Sequence, residues 1–221
     1  VVNVAYKHVL FDYDGCLGNT LGAWTWAIRR CSEKFGMNLN VAQINEQMRW
    51  GLRKVRGQGL GEMQVLPYYD MVREIAKTPV FAAKLHDGAK ELLLDLSAAG
   101  KGLAVVSTNI LELRELLAKD DILHLFRAVV TNRDVKNNKP HPEGIEFALR
   151  ILRGNKADAV MVGDTGNDLA AARNAGIDFI LFHPGGAPLL YEPAELVAHP
   201  PKHIVESHYE LRELLIKGLS P

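Results

Sequence analysis

Two aspartates stand one residue apart, Asp12 and Asp14, in the stretch VLFDYDGCLGNT, directly after an apolar run. Polar residues follow apolar runs again further along: Ser107, Thr108 and Asn109 after GLAVV, and Asp164 and Asp168 after ADAVMVG, with Lys139 in the loop after RAVVT. An isolated acidic pair at such a place is ordinarily a helix cap or a turn former. Groups recurring at the same kind of place point instead to one shared site. Three gathered carboxylates repel one another, and a hard divalent cation with oxygen ligands is the simplest way to hold them, so magnesium is the first expectation. A metal site that keeps several waters commonly serves phosphoryl transfer. Ser107 and the amides after it lie where a helix starts, which suits an anion, and Lys139 adds a point charge.

The elements that must position these groups show in the apolar pattern. HVLF, GLAVVS, RAVVT, ADAVMVG and DFILF are short continuous runs of the kind found in strands buried on both faces of a parallel sheet. Between them lie helical patterns: GAKELLLDLSAAG, ILELRELLAKDDILHLF, PEGIEFALRILRG and DLAAARNAG, with Gly100, Gly154 and Gly176 where C-terminal caps are expected. Alternating strands and helices predict an α/β fold with a mainly parallel sheet, whose ligands bind outside the carboxyl ends of the strands. From Leu17 to about Ala83 the alternation stops, leaving helical patterns such as AWTWAIRRCSEKFG and LPYYDMVREIAK without a buried strand. That region reads as a helical insertion. Its basic, glycine-rich stretch RWGLRKVRGQGLGE is predicted to be a loop between helices.

The 221 residues can bury a good core, and nearly half are apolar, as in an ordinary globular protein. Lys plus Arg equals Asp plus Glu, 26 against 26, so no overall field draws the chain to nucleic acid or to an anionic membrane. A charged ligand must meet a local patch. No apolar run approaches the roughly eighteen residues of a membrane span, and VVNVAYKHVLFDYDG lacks a signal peptide's layout, so the expected location is cytoplasmic. Cys16 and Cys31 are too few for a disulfide framework and are expected to be reduced, partly buried thiols.

With DYDGCLGNT, VVSTN, NKPHPE and GDTGND in this order, the chain resembles the haloacid dehalogenase-like hydrolase superfamily, of the phosphoglycolate phosphatase and β-phosphoglucomutase type with a small helical cap. The resemblance runs over nearly the whole chain, including the ending HIVESHYELRELL. It implies a three-layer α/β/α Rossmann-like core formed by residues 1–16 and 84–221, a cap at 17–83, and a magnesium-dependent phosphatase acting on a small phosphorylated metabolite as a monomer or homodimer. Asp12 would be the nucleophile that takes the phosphoryl group as an aspartyl-phosphate. Asp14 would protonate the leaving oxygen and then deprotonate the attacking water. Either Ser107 or Thr108 could be the phosphate-binding hydroxyl, with Asn109 beside them, and Ser107 is favoured because it directly ends the apolar run. Lys139 would neutralise the nucleophile and the transferring oxygens. Asp164 would hold magnesium with the Asp12 carboxylate and the Asp14 backbone carbonyl, and Asp168 would complete the metal set from behind, orienting water or Lys139. The family usually has Thr where this chain has Cys16, and an acidic residue where it has Asn19.

A phosphomutase needs the same core residues and differs only in cap chemistry. The dehalogenase branch has Tyr where this chain has Asp14, and Tyr13 is expected in packing. A receiver-type phospho-acceptor module also gathers acidic residues, a hydroxyl and a lysine around magnesium, but it lacks a helical insertion and has no use for a base such as Asp14. Trp24, Trp26 and Trp50 could line a substrate pocket, but aromatics at helical positions read first as core or cap packing. His183, His199, His203 and His208 match no zinc spacing and read as surface residues, and His141 as a loop residue. Arg49, Arg53, Lys54 and Arg56 fit a solvated helix face or a substrate loop equally well, and Arg53, Lys54 and Arg56 are carried as candidate substrate contacts. The core motifs recognise phosphate and metal and leave the alcohol unspecified.

Overall fold

The computed structural model describes residues 6–50, 55, 58–108 and 112–217. β1 (His8–Phe11) lies between β2 (Gly102–Val106) and β4 (Ala159–Gly163). β3 (Ala128–Val130) extends the sheet beyond β2, and β5 (Asp178–Phe182) and β6 (His203–Val205) extend it beyond β4. All pairs are parallel, in the order β3-β2-β1-β4-β5-β6. Alternate residues feed opposite faces, as the two-residue period of a strand requires: Val9 and Phe11 enter one hydrophobic cluster and Leu10 the other. Covering both faces is what makes these strands read as unbroken apolar runs. The α/β class with a mainly parallel sheet is therefore as expected.

Residues 21–82 contribute only helices among the described residues: α1 (Leu21–Lys34), α2 (Val41–Trp50), a short 3-10 turn, and α3 (Val65–Ala82). α1 packs along α3. A buried polar tie joins the three, because the Tyr68 hydroxyl of α3 donates to Gln47 Oε1 of α2 at 2.7 Å and lies 3.0 Å from the Ser32 hydroxyl of α1. The chain leaves and re-enters the sheet domain through two adjacent segments, where the His86 amide donates to the Leu17 carbonyl and the Asn19 amide to the Lys84 carbonyl, both at 2.9 Å. The remaining helices are α4 (Ala89–Ala98), α5 (Leu113–Lys119), α6 (Glu143–Leu152), α7 (Gly166–Ala175), α8 (Pro193–Ala198) and α9 (His208–Arg212). α6 turns Ile145, Ala148, Leu149 and Leu152 inward at the spacing of one helical face. Among the described residues no helix is long and apolar enough to cross a membrane.

Three local expectations are corrected. The run at 110–126 is not one helix: α5 ends at Lys119, Asp121 takes a left-handed conformation (φ 55°), and a separate 3-10 turn follows at Leu123–Leu125. The left-handed residue ending α6 is Arg153 (φ 52°), not Gly154. His208 is not a surface residue. Ser207 caps α9, and His208 lies buried with its ring 4.5 Å from that of Phe182, where burial and then His86 push its pKa down to about 3.

The chain runs from β1 to β2 and β3 on one side, then crosses to β4 on the other. Strand order thus reverses beside β1, and the crevice at the carboxyl ends of β1 and β4 is where an open α/β sheet binds its ligand.

Candidate active site

Asp12 follows β1 directly and stays in register, its amide donating to the Val162 carbonyl of β4 at 2.9 Å. Asp164 follows β4. The next residues build the start of α7: Thr165 is the N-cap, and Asp168 closes a capping box, accepting the Thr165 amide (3.0 Å) and hydroxyl (2.6 Å) on Oδ2. This local motif sends the Asp168 carboxylate back toward β4. A Cβ on Gly163 would lie 2.5 Å from Asp168 Cγ, so only glycine leaves room for it. Gly15 serves the same end on the other loop, combining a positive φ of 79° with a position where a Cβ would lie 2.3 Å from Asp164 Oδ2.

Lys139 arrives from the loop before α6 and donates to Asp12 Oδ1 at 2.7 Å and to Asp168 Oδ1 at 2.6 Å, with its side chain only 5% exposed. Asp12, Asp164 and Asp168 each offer an oxygen, all within 4.8 Å of one another. Burial raises the Asp12 pKa to about 7, with Asp168 and Asp14 adding to the effect and Lys139 opposing it. Asp164 is raised well above the carboxylate range by burial, then by Asp168 and Asp12. Burial works against the Lys139 charge, but its two carboxylates overcome it and hold the pKa above the usual lysine value. Asp12 and Lys139 pull each other toward the charged forms. The two short contacts make the ion pair secure, and the three gathered carboxylates still carry more negative charge than one ammonium can balance.

That excess has a definite address. Both carboxylate oxygens of Asp164 are buried without a hydrogen-bond partner among the described residues, whereas Asp168 uses both of its oxygens. Buried carboxylate oxygens with no donor, in a cluster with two negative charges beyond its one ammonium, fit a hard divalent cation.

Asp14 faces a different set. Its Oδ1 accepts the Thr20 hydroxyl at 2.7 Å and the Trp24 indole N–H at 2.8 Å. Trp24 therefore does not merely pack. A cavity of 420 Å³ joins these groups: Asp12, Asp14, Lys139, Asp164, Thr108, Asn132 and Asn138 line it from the sheet side. Leu21, Trp24, Ile28, Met48, Val72, Tyr69 and Arg73 line it from the insertion. Ser107 is buried and donates its amide to the Val130 carbonyl at 3.0 Å, whereas Thr108 is the one of the two that lines the cavity.

Asn109, Arg53, Lys54 and Arg56 lie outside the described residues. Arg49 is not a solvated cation. Its guanidinium donates to the Glu192 carboxylate and, at 2.7 Å, to the Leu189 carbonyl, while Asn167 donates to the Arg49 carbonyl at 2.7 Å. Trp26 is exposed, with Arg30 over its ring. Tyr13 is buried, as expected, and both cysteines are buried thiols. The Cys16 thiol donates to the Val162 carbonyl at 3.6 Å, and burial followed by Asp164 and Asp12 holds its pKa well above the thiol range, so it stays protonated. Thr20, Tyr69 and Arg73 escaped the sequence reading, and Trp24, named there as a pocket or packing residue, was not foreseen as a donor to Asp14. One available signal was the four-residue spacing of Thr20 and Trp24, which stacks the helix cap and the indole on the same side of α1.

Among curated proteins, the chain is 33% identical over 97 residues to a phosphoglycolate phosphatase of Colwellia psychrerythraea, covering 43% of each chain. It is 34% identical over 96 residues to the pyrophosphatase PpaX of Halalkalibacterium halodurans, covering 42% of this chain and 43% of the relative. The aligned stretch thus spans less than half the length of these relatives. In structure it resembles the haloacid dehalogenase-like family protein SP0104 of Streptococcus pneumoniae, with a TM-score of 0.78 at 21% identity over 94% of this chain and 97% of the other, a likeness of fold. The family model for haloacid dehalogenase-like hydrolases matches residues 9–182, a span that contains every acidic residue of the site together with Lys139, and the chain belongs to that family.

Proposed function

We propose that the protein is a magnesium-dependent phosphatase that hydrolyses a small anionic phosphorylated metabolite through an aspartyl-phosphate on Asp12, with residues 17–83 acting as a cap over the site. The observation that carries this reading is the buried ion pair of Lys139 with Asp12 and Asp168, beside an Asp164 whose oxygens have no donor and within the same cavity as Asp14.

Lys139 occupies Asp12 Oδ1, which leaves Oδ2 as the attacking oxygen. As the new oxygen–phosphorus bond forms, the bond to the leaving oxygen breaks and that oxygen takes the proton of Asp14. Asp14, now a carboxylate, removes a proton from water as the water attacks phosphorus, and the Asp12 carboxylate departs intact. Lys139 offsets the negative charge on Asp12 and the transferring oxygens throughout, while Asp168 holds the ammonium in place. Thr108, with Asn138 beside it in the cavity wall, is the candidate to orient the phosphate, and Ser107 is the alternative hydroxyl. The metal would be held by the Asp12 and Asp164 carboxylates and the Asp14 backbone carbonyl, and would supply charge neutralisation and orientation of the phosphate.

On the leaving-group side, Arg73 and Tyr69 stand among apolar residues, a setting for a short acidic tail. The two curated relatives carry the names of a phosphoglycolate phosphatase and a pyrophosphatase, and both of those substrates have a second anionic group beyond the transferred phosphate. The test is phosphate release with magnesium over a panel of small phosphorylated metabolites. Release is expected from phosphoglycolate or pyrophosphate ahead of neutral sugar phosphates, and Asp12→Asn should lower it by at least about a thousandfold. Undiminished release by that variant would remove Asp12 from the mechanism.

A further inference from the structure

The two donors on Asp14 differ in what they can do. A threonine hydroxyl can donate or accept, whereas an indole N–H only donates. Trp24 lies 2.8 Å from Asp14 Oδ1, and Thr20 shares the same oxygen at 2.7 Å. A proton on Oδ1 could turn only toward Thr20 and would leave the indole N–H a poor hydroxyl acceptor, so the indole bond favours Oδ1 as the unprotonated oxygen. We infer that Trp24 is a positioning residue for proton transfer: by occupying Oδ1 it fixes the carboxyl orientation and assigns the travelling proton to Oδ2.

Placement supports this role. Trp24 belongs to the first turn of α1, four residues beyond Thr20, whose carbonyl accepts the Trp24 amide at 3.1 Å. Its ring also lines the cavity shared with Asp12 and Asp14. The indole thereby touches the Asp14 carboxylate and borders the same cavity. Trp24 packs against the main hydrophobic cluster, which holds the ring in place. The side chain thus resembles packing in the sequence and acts on a carboxyl in the fold.

The inference rests on the proposed phosphatase reading, and its test separates the two. In Trp24→Phe the ring stays and the donor goes; in Trp24→His an N–H at similar reach from the backbone returns. kcat/KM is measured over aryl and alkyl phosphates of increasing leaving-group basicity, because it reports steps up to departure of the leaving group and is blind to the later water attack. Trp24→Phe is expected to lose about ten- to a hundredfold with alkyl phosphates, the worth of a hydrogen bond to a charged group, and under about threefold with the best aryl leaving group. Trp24→His should recover most of the alkyl activity. Equal losses across the series, or no recovery by histidine, would overturn the role. An independent readout needs no turnover: in 15N-tryptophan-labelled protein the Trp24 indole resonance should move when Asp14 is replaced by alanine, and an unmoved resonance would overturn the contact itself. Absence of phosphate release from the wild type would instead count against the functional reading, leaving the indole measurement to stand.

Discussion

Asp12, Asp14, Asp164 and Asp168 could be read from the chain because each stands at or just after the end of a continuous apolar run, a signal that is local in sequence. Lys139 follows from its loop and its motif. What local signals do not carry is partnership. Asp168 was expected to orient water or Lys139, and it holds Lys139 at 2.6 Å while its second oxygen closes the α7 capping box. Trp24 looks like a packing aromatic, and Arg73 draws no notice, until α1 and α3 line the cavity with the carboxyl ends of the strands. Charge balance at this scale gives a testable consequence. Without metal, Asp12 keeps its proton to about pH 7 in the folded state, against 3.8 for an ordinary aspartate, and burial raises Asp164 in the same direction. At these carboxylates the folded state then binds more protons than the unfolded chain, so their contribution to stability falls as pH rises to about 7, while buried His208, its pKa pushed down to about 3, contributes in the opposite sense below the ordinary histidine value. Between pH 5 and pH 8 the melting temperature of metal-free wild type is therefore expected to fall relative to that of metal-free Asp12→Asn, which keeps His208 and lacks the Asp12 carboxyl. Magnesium should remove most of that difference, and in Asp164→Asn it should raise the melting temperature far less than in the wild type. Magnesium-independent melting of the wild type would contradict the site assignment.

Helices and strands were legible where their pattern was long and periodic, as in α4, α6 and α7. They were not legible where one backbone conformation decides the outcome: Asp121 at a φ of 55° divides the run at 110–126, and nothing in DDILHLF announces it. The insertion is anchored by a contact that sequence could not disclose, since Arg49 at the end of α2 reaches across 140 or more residues to Leu189 and Glu192. With the guanidinium gone, that end of α2 loses its donors to the sheet domain. Arg49→Ala is expected to lower amide-exchange protection in α2 about tenfold while leaving β1 and β4 unchanged, as measured by hydrogen exchange. Unchanged protection in α2 would mean that the Asn167 contact and the tie of Tyr68 to Gln47 and Ser32 suffice by themselves.

For the whole molecule, alternation of strands and helices was enough to establish the α/β class, and where it stops the described residues of 21–82 form only helices. The order of the strands was not, because β1 to β5 are apolar runs buried almost throughout, and the half-exposed edge strand β6 is too short to carry a pattern. Only the pairing of β1 with both β2 and β4 explains why residues more than 150 positions apart, Asp12 and Asp164, share one site. That crevice and the helices of residues 21–82 line one cavity with a charged floor and a largely apolar wall that includes Arg73; on the proposed reading the floor would take the transferred phosphate and the wall the leaving group. The central claim is that the phosphoryl group passes through Asp12. The most direct measurement is to quench the reaction during turnover of a substrate found active in the panel, reduce the acyl phosphate with borohydride, and map the peptides by mass spectrometry. The expected product is homoserine at position 12, absent when substrate is omitted and absent in Asp12→Asn. Reduction at another carboxylate, or a phosphorylated residue elsewhere with position 12 unmodified during full turnover, would contradict it.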